Sequence, residues 1–320
     1  MKITVVGAGN VGATCAYEIA RKELARDLVL LDVKEGLTLG KSLDMWQTSS
    51  VQGFNTRITG VTTDFSKTAG SEVVVITSGI PRRPGMSRDD LIDINARIVK
   101  DVTEGIVKYS PDAKIIVVTN PLDVMTYAAF LAAKLPSNKV FGMAGILDGA
   151  RYKAFLAEAL HISPQSIHAI LMGGHGDSMV PLPRYTTVSG IPITELIEDS
   201  VLEKIIERTR KGGGELVELM GTSAWYAPGA AAAQMVEAIM LDQRRVFPVC
   251  AALNGEYGLN DLHIGVPVIL GKNGIEKVIE LNLNDDEMAL LHKSALEVKK
   301  IMKSLDNLNI FEERYGSDTL

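Results

Sequence analysis

Two stretches hold residues that can together move a proton and grip an acid. "GILDGARYKAFL" places Asp148 and Arg151 three positions apart, and "LMGGHGDSM" sets His175 among Gly173, Gly174 and Gly176. Histidine cycles between neutral and charged forms near neutral pH, as reversible oxidation of a secondary alcohol requires: the hydroxyl proton leaves with oxidation and returns with reduction. A carboxylate such as Asp148 can orient the ring and favour imidazolium. The planar guanidinium of Arg151 can hold an α-carboxylate at two points, which lysine reproduces poorly. Blander roles fit the same residues, with His175 making a turn hydrogen bond and Asp148 capping the following helix. His161, His168, His263 and His292 have no metal-ligand spacing, and no metal is expected.

A second chemistry stands at the amino end. "VVGAGNVGATCAYEI" spaces Gly7, Gly9 and Gly12 as G-x-G-x-x-G between a strand pattern and a helix pattern. Gly7 permits a tight turn, Gly9 lets backbone amides approach a pyrophosphate, and Gly12 allows close helix packing, with the helix amino end facing the negative charge. Asp32 lies twenty positions after Gly12, at the end of the next strand. A carboxylate there can accept both ribose hydroxyls of NAD and repels a 2′-phosphate, so NAD is expected rather than NADP. The alternative is a strand-end turn residue. A flavin also fits the glycines, but it calls for more sequence than this chain spends on nucleotide binding. Asn120, directly before Pro121 at a strand end, can donate its amide to a substrate oxygen; the alternative is that Pro121 only terminates that strand.

These residues need a scaffold, and the apolar runs describe one. "ITVVGAG", "LVLLD", "VVVIT" and "KIIVVTNP" read as strands buried on both faces, as a parallel sheet covered by helices requires. A helix is predicted over residues 11–24, and Leu91, Ile94, Ile98, Val102 and Ile106 form an apolar stripe on another that ends near Tyr109. "KVFGMAG" adds a short strand. The fold class predicted is α/β, a doubly wound parallel-sheet Rossmann domain followed by an α+β substrate or catalytic domain. The boundary is placed at residues 145/146, giving a dinucleotide-binding unit over 1–145 and a substrate unit over 146–320.

In the second half a helix is predicted over residues 151–160, "IHAILMGGHG" as a strand ending in a glycine turn, and "VPVILGKNGIEKVIEL" as a hairpin. Asn284 with Glu287 signals a capped final helix. The alanine-rich "YAPGAAAAQMVEAI" implies close helix packing, within the chain or against another subunit. The end of the tail "NLNIFEERYGSDTL" is expected to be loose or to pack on a neighbour.

Composition narrows the function. With 320 residues, two domains, or one large domain with an appended lobe, are expected. The 39 acidic against 33 basic residues argue against nucleic acid as the main partner. Cys15 and Cys250 are far apart in apolar surroundings, which suits packing in a reducing compartment. "MKITVVGAGN" enters a strand pattern at once, so no export segment is expected before the fold, and no apolar run approaches the roughly 20 residues that span a bilayer.

Taken together, "GAGNVG" with Asp32, "IPRRPGMSR", "TNPLDVM", "GILDGARY", "GGHGDSMVP" and "GTSAWYAPGAA" resemble the lactate/malate dehydrogenase family, in family order over nearly the whole chain. The resemblance implies His175 as acid/base, Asp148 as its partner, Arg151 as the carboxylate clamp and Asn120 as a contact to substrate and nicotinamide. It makes the stretch after Arg88 the hinge of an active-site lid, with Arg88 polarising the substrate carbonyl, and Ser223 a substrate-side polar group. It extends the cofactor contacts to Asn10, Val11, Asn95 and Val118. By the same likeness the protein is cytoplasmic and a homo-oligomer, tetramer ahead of dimer.

The resemblance also gives "GIPRRPGMSRDD" a purpose. Arg82 lies where the family sets substrate class, glutamine being typical of the lactate enzymes and arginine of the malate enzymes. On a closing loop, Arg82 would meet the second carboxylate of malate or oxaloacetate after water is excluded, and lactate would leave it unpaired. The expected reaction is therefore NAD-dependent oxidation of malate to oxaloacetate. The alternatives are a lactate or broader 2-hydroxy-acid dehydrogenase, and a non-catalytic NAD-binding module.

Overall fold

The computed structural model describes residues 1–81 and 86–311. Arg82 and Arg83 lie outside the described residues, as does the end of the carboxyl-terminal tail.

The amino-terminal half alternates strand and helix: β1 (Lys2–Val6), α1 (Asn10–Arg21), β2 (Asp27–Asp32), α2 (Leu37–Gln47), α3 (Ser49–Gln52), β3 (Arg57–Thr62), β4 (Val73–Ile76), α4 (Arg88–Tyr109), β5 (Lys114–Val117), α5 (Leu122–Ala133) and β6 (Val140–Gly142). After α6 (Gly145–Leu160) come five short strands, β7 (Ile167–His168), β8 (Leu171–Gly173), β9 (Met179–Pro181), β10 (Thr187–Val188) and β11 (Ile191–Pro192). The helices α7 (Asp199–Met220) and α8 (Tyr226–Met240), the strands β12 (Arg245–Asn254), β13 (Asn260–Gly271) and β14 (Gly274–Val278), and α9 (Asp285–Met302) complete the chain.

The main sheet runs β3-β2-β1-β4-β5-β6-β12-β13-β8-β9, with β14 beside β13. Pairings through β6 are parallel, and from β12 onward they are antiparallel. Every residue of β4 is buried, which explains why that strand reads as an unbroken apolar run and not as an alternation. The strand order reverses between β1 and β4, where doubly wound sheets open a crevice at the strand ends. The Gly7 turn and Thr77 meet there, the Thr77 hydroxyl donating to the Val6 and Gly7 carbonyls at 3.1 Å each.

Three expectations shift. The inner face of α4 is built from Leu91, Ile92, Asn95, Ala96, Val99, Thr103 and Ile106. Ile94 is exposed and Ile98 half-buried, so the buried face is turned from the stripe that hydrophobicity suggested. The cause is Asn95, whose buried amide is fully used by backbone partners described below. Truncating Ile92 on the true inner face to alanine costs about 2–5 kcal/mol. Second, α6 begins at Gly145, six positions before the predicted start, which puts Asp148 in its first turn and Arg151 one turn on. Third, "IHAILMGGHG" divides into β7 and β8.

Other readings match the fold. The β13–β14 hairpin pairs Gly271 with Gly274. Asn284 and Glu287 form a reciprocal capping box on α9. The alanine-rich α8 packs within the chain on α1: a Cβ on Gly229 would lie 2.7 Å from the Thr14 Cβ. No helix among the described residues is long and apolar enough to cross a membrane.

Candidate active site

At the cofactor end, Gly7 has φ +105° and donates its N–H to the Leu31 carbonyl at 2.7 Å. A Cβ on Gly12 would collide with the Gly7 carbonyl, so only glycine lets α1 pack this close to the turn. A Cβ on Gly9 would meet no protein atom within 4 Å, so the face of the turn in front of α1 is open. No side chain caps α1 at Gly9, which leaves the first-turn amides of Asn10, Val11 and Gly12 for an anion. Asp32 accepts from the amides of Ala8 at 2.6 Å, Val33 at 2.7 Å and Lys34 at 3.1 Å. It is thus both the strand-end turn residue and a carboxylate fixed beside the glycine turn. A dinucleotide fits these donors: pyrophosphate at the helix start, ribose at Asp32.

At the other end, α6 and the glycine turn after β8 bring the polar residues together. His175 Nδ1 lies 2.9 Å from Asp148 Oδ2, and Arg151 Nη1 donates to Asp148 Oδ1 at 3.4 Å. Asp148 is almost wholly enclosed, its side chain 2% exposed. Burial works to lower the His175 pKa, but the charge and hydrogen bond of Asp148, helped by Asp123, outweigh burial and the repulsion of Arg151, so it lies above its ordinary value. With Nδ1 engaged by Asp148, Nε2 is the ring nitrogen left for a substrate.

The glycines around His175 have separate causes. Gly173 and Gly176 adopt φ +84° and +100°. A Cβ on Gly174 would sit 2.7 Å from Val298 Cγ2 of α9. Glycines also shape the wall opposite Arg151, where a Cβ on Gly212 of α7 would lie 3.2 Å from its Cδ and one on Gly213 would lie 3.9 Å from both Nη atoms. The sequence reading passed over this "KGGGE" run. Its signal was three residues that each cost a helix interior about 1 kcal/mol against alanine, placed inside an otherwise amphipathic helix.

A cavity of about 640 Å³ gathers Val11, Val118, Asn120, Arg151, His175 and Ser223, joining the glycine-turn end to the histidine. Met143, Leu147, Asp177 and Arg210 also line it, and none of these was anticipated. Arg88 is not in this cavity but lines an adjoining one of about 780 Å³, together with Pro121, His175 and Asp177. It is the first residue of α4, inside the Ser87–Asp90 capping box that sets the helix start. A larger groove of about 1040 Å³ on the charged outer side of α7 contains none of the predicted residues.

Asn95 plays an inner part. Its amide donates to the Asn120 carbonyl at 2.8 Å and the Ile80 carbonyl at 3.2 Å, and it accepts the Ile80 N–H at 2.8 Å. It therefore ties the start of the arginine-rich segment to the Asn120–Pro121 turn, whose peptide bond is cis. The predicted substrate contact at Arg82 falls outside the described residues.

The chain is similar to known proteins in both of its halves. Residues 1–142 match the lactate/malate dehydrogenase NAD binding domain, and residues 146–308 match the lactate/malate dehydrogenase alpha/beta C-terminal domain. A malate dehydrogenase of Cytophaga hutchinsonii is 64% identical over 308 residues, 96% of this chain and 99% of that protein. The solved malate dehydrogenase of Salinibacter ruber is 55% identical with a TM-score of 0.93, covering 96% of this chain and 98% of its own. A Cryptosporidium parvum lactate dehydrogenase solved with lactic acid and nicotinamide adenine dinucleotide is 40% identical, with a TM-score of 0.91, over 96% of this chain and 98% of that one. Matched in both halves and across nearly its full length, the chain belongs to the lactate/malate dehydrogenase family.

Proposed function

We propose that this chain is an NAD-dependent malate dehydrogenase that interconverts (S)-malate and oxaloacetate. The observation that carries the reading is the Asp148–His175 contact at 2.9 Å, beside Arg151 in a cavity that also reaches Asn120 and Val11 at the cofactor end. Arg151 binds the carboxylate next to the reacting carbon with the N–H groups that Asp148 does not use. His175 takes the substrate hydroxyl proton at Nε2 during oxidation, and Asp148 balances the imidazolium that results. In reduction the same nitrogen returns the proton to the carbonyl oxygen, where Asn120 and Arg88 stabilise developing charge. When bound, NAD+ would supply the hydride acceptor for C2 of malate, and NADH the hydride donor for C2 of oxaloacetate. The first-turn amides of Asn10 through Gly12 and the Asp32 carboxylate would hold it, with Val11 and Val118 supplying apolar wall, while Asn95 keeps Asn120 in place.

Arg82 selects the substrate by pairing with the distal carboxylate once the segment after Ile80 closes and excludes water. The identity to malate dehydrogenases supports this choice over a lactate enzyme. Comparing oxaloacetate with pyruvate in the presence of NADH tests it: wild type prefers oxaloacetate by orders of magnitude in kcat/KM, and R82Q loses most of that preference. Equal use of both substrates by wild type, or unchanged discrimination in R82Q, would refute the assignment.

The same reading assigns residues 1–145 to dinucleotide binding and 146–320 to substrate binding and catalysis, in a cytoplasmic homo-oligomer, a tetramer ahead of a dimer. Exposed Leu39, Leu43 and Trp46 on one side of α2 support association, as do Leu219, Met220 and Tyr226 near the α7–α8 junction. Light scattering checks the mass, and a monomer at assay concentration refutes it.

A further inference from the structure

The backbone of the acid/base turn is held by two buried side chains that the chemistry above does not use. Asp123, in the first turn of α5, accepts the His175 N–H through Oδ2 at 3.0 Å. Ser294 of α9 accepts the preceding N–H, from Gly174, through Oγ at 2.8 Å. The two residues are 7% and 2% exposed. A serine is enough for the second bond, and a carboxylate is a costly way to make the first: it is buried, with only the Cys250 thiol, among the described residues, as a further, weak side-chain donor beside it. Asp123 also stands three positions after Asn120, on the turn that Asn95 clamps.

We propose that Asp123 is a positioning residue for the proton-transfer step, its carboxylate fixing the His175 backbone to the start of α5 so that the imidazole and Asn120 are held as one unit. The inference rests on His175 as the proton carrier. The carboxylate acts in two ways. As an acceptor it sets where the ring sits relative to the cavity. As a buried anion beside the histidine, it adds to Asp148 in favouring imidazolium. Burial, with the charge of Asp148 adding to it, keeps the Asp123 carboxyl above its usual range against the opposing pull of the His175 amide and imidazole and the Cys250 thiol.

Other charges also face the histidine. Asp148 and Arg151 approach from α6, and Asp177 lies on its own turn. Arg88 of α4 and Glu297 and Lys300 of α9 border the adjoining cavity. The buried Cys250 thiol of β12 lies against Asp123. Asp123 bonds the backbone of the histidine and Asp148 its side chain, so the two can be separated by substitution.

D123A and D123N are compared with wild type for oxaloacetate reduction, NADH binding and the His175 titration midpoint, followed by NMR of labelled histidine and assigned by its loss in H175N. D123A should lower kcat about 10- to 100-fold, as expected when a reacting group is misplaced by around 1 Å, with KM and the NADH Kd within about twofold. D123N keeps an acceptor oxygen and should recover most of that rate. In both, the midpoint should fall by about half a pH unit or more as the charge is lost. Wild-type turnover in D123A overturns the inference, as does a midpoint unchanged in both variants. Should D123A fail to fold, the midpoint in D123N decides. The titration needs no substrate, so a wild-type protein inert toward oxaloacetate would defeat the malate reading while the midpoint still judged Asp123.

Discussion

Replacing Asp148 with asparagine removes one negative charge and leaves the shape of the site. Nδ1 and Oδ2 are 2.9 Å apart, so the centres of charge on imidazolium and carboxylate lie about 4 Å from one another. At an effective dielectric constant of about 20 that separation is worth roughly 4 kcal/mol, which corresponds to about three pH units. This is an upper bound, because the asparagine oxygen can still accept the Nδ1–H bond and so still favours the protonated ring. Reduction needs imidazolium, so its kcat/KM falls as pH rises through the histidine pKa. In D148N that descending limb should move to lower pH, and the rate at pH 8 should drop by up to about a thousandfold. The deficit at pH 5.5 should be much smaller, leaving only what is lost in ring orientation and tautomer. The assay is NADH oxidation with oxaloacetate from pH 5 to 9, with NADH affinity measured alongside. A deficit of equal size at both pH values would show that Asp148 acts by geometry alone, and a limb displaced to higher pH would refute the electrostatic reasoning.

Three other perturbations test separate parts of the molecule. Asp32→Asn should weaken NADH binding by about tenfold and narrow the gap to NADPH, since a neutral amide no longer repels a 2′-phosphate; titration by cofactor fluorescence reads this, and an unchanged ratio removes Asp32 from cofactor selection. Arg151→Lys loses the two-point grip and should raise KM for oxaloacetate at least tenfold with the NADH Kd unchanged, whereas an unaltered KM would place the clamp elsewhere. His263 is buried between the rings of Tyr127 and Phe130, and neither of its nitrogens has a hydrogen-bond partner among the described residues. Burial holds its pKa down at about 3. The unfolded chain, with a histidine near 6.5, binds more protons than the folded one between these values, so stability is full above about pH 6.5 and drains away toward pH 3. H263F should abolish that loss and gain about 2 kcal/mol on wild type between pH 8 and pH 5, read from urea midpoints at fixed protein concentration; parallel acid losses in the two proteins would refute it.

Much of the scaffold was legible because its physics is local. Strands buried on both faces must be continuous apolar runs, and a glycine that a Cβ would drive into the Gly7 carbonyl can be nothing else. The candidate site was legible because side chains such as Asp148, Arg151 and His175 carry their chemistry in their identity. What stayed hidden depends on partners that residue type does not reveal. Counting hydrophobes misplaced the inner face of α4 because the residue packed inward is Asn95, made affordable by three backbone hydrogen bonds from positions 80 and 120. The start of α6 was hidden because glycine and small residues that read as a loop are what the close contact there demands: a Cβ on Gly145 would sit 2.8 Å from the Leu171 carbonyl and from Pro248.

The amides of Gly174 and His175 belong to the same class, since their acceptors come from 120 residues ahead and 52 residues behind in the chain. A backbone N–H is identical at every position, so no motif announces which side chain will hold it. Catalysis nonetheless depends on that choice, because a histidine whose ring is oriented by Asp148 but whose main chain can drift is free to lose the distance that proton transfer requires. The charge partner of the ring and the tether of its backbone are therefore distinct requirements. Only the first is written in the kind of residue that a sequence motif displays.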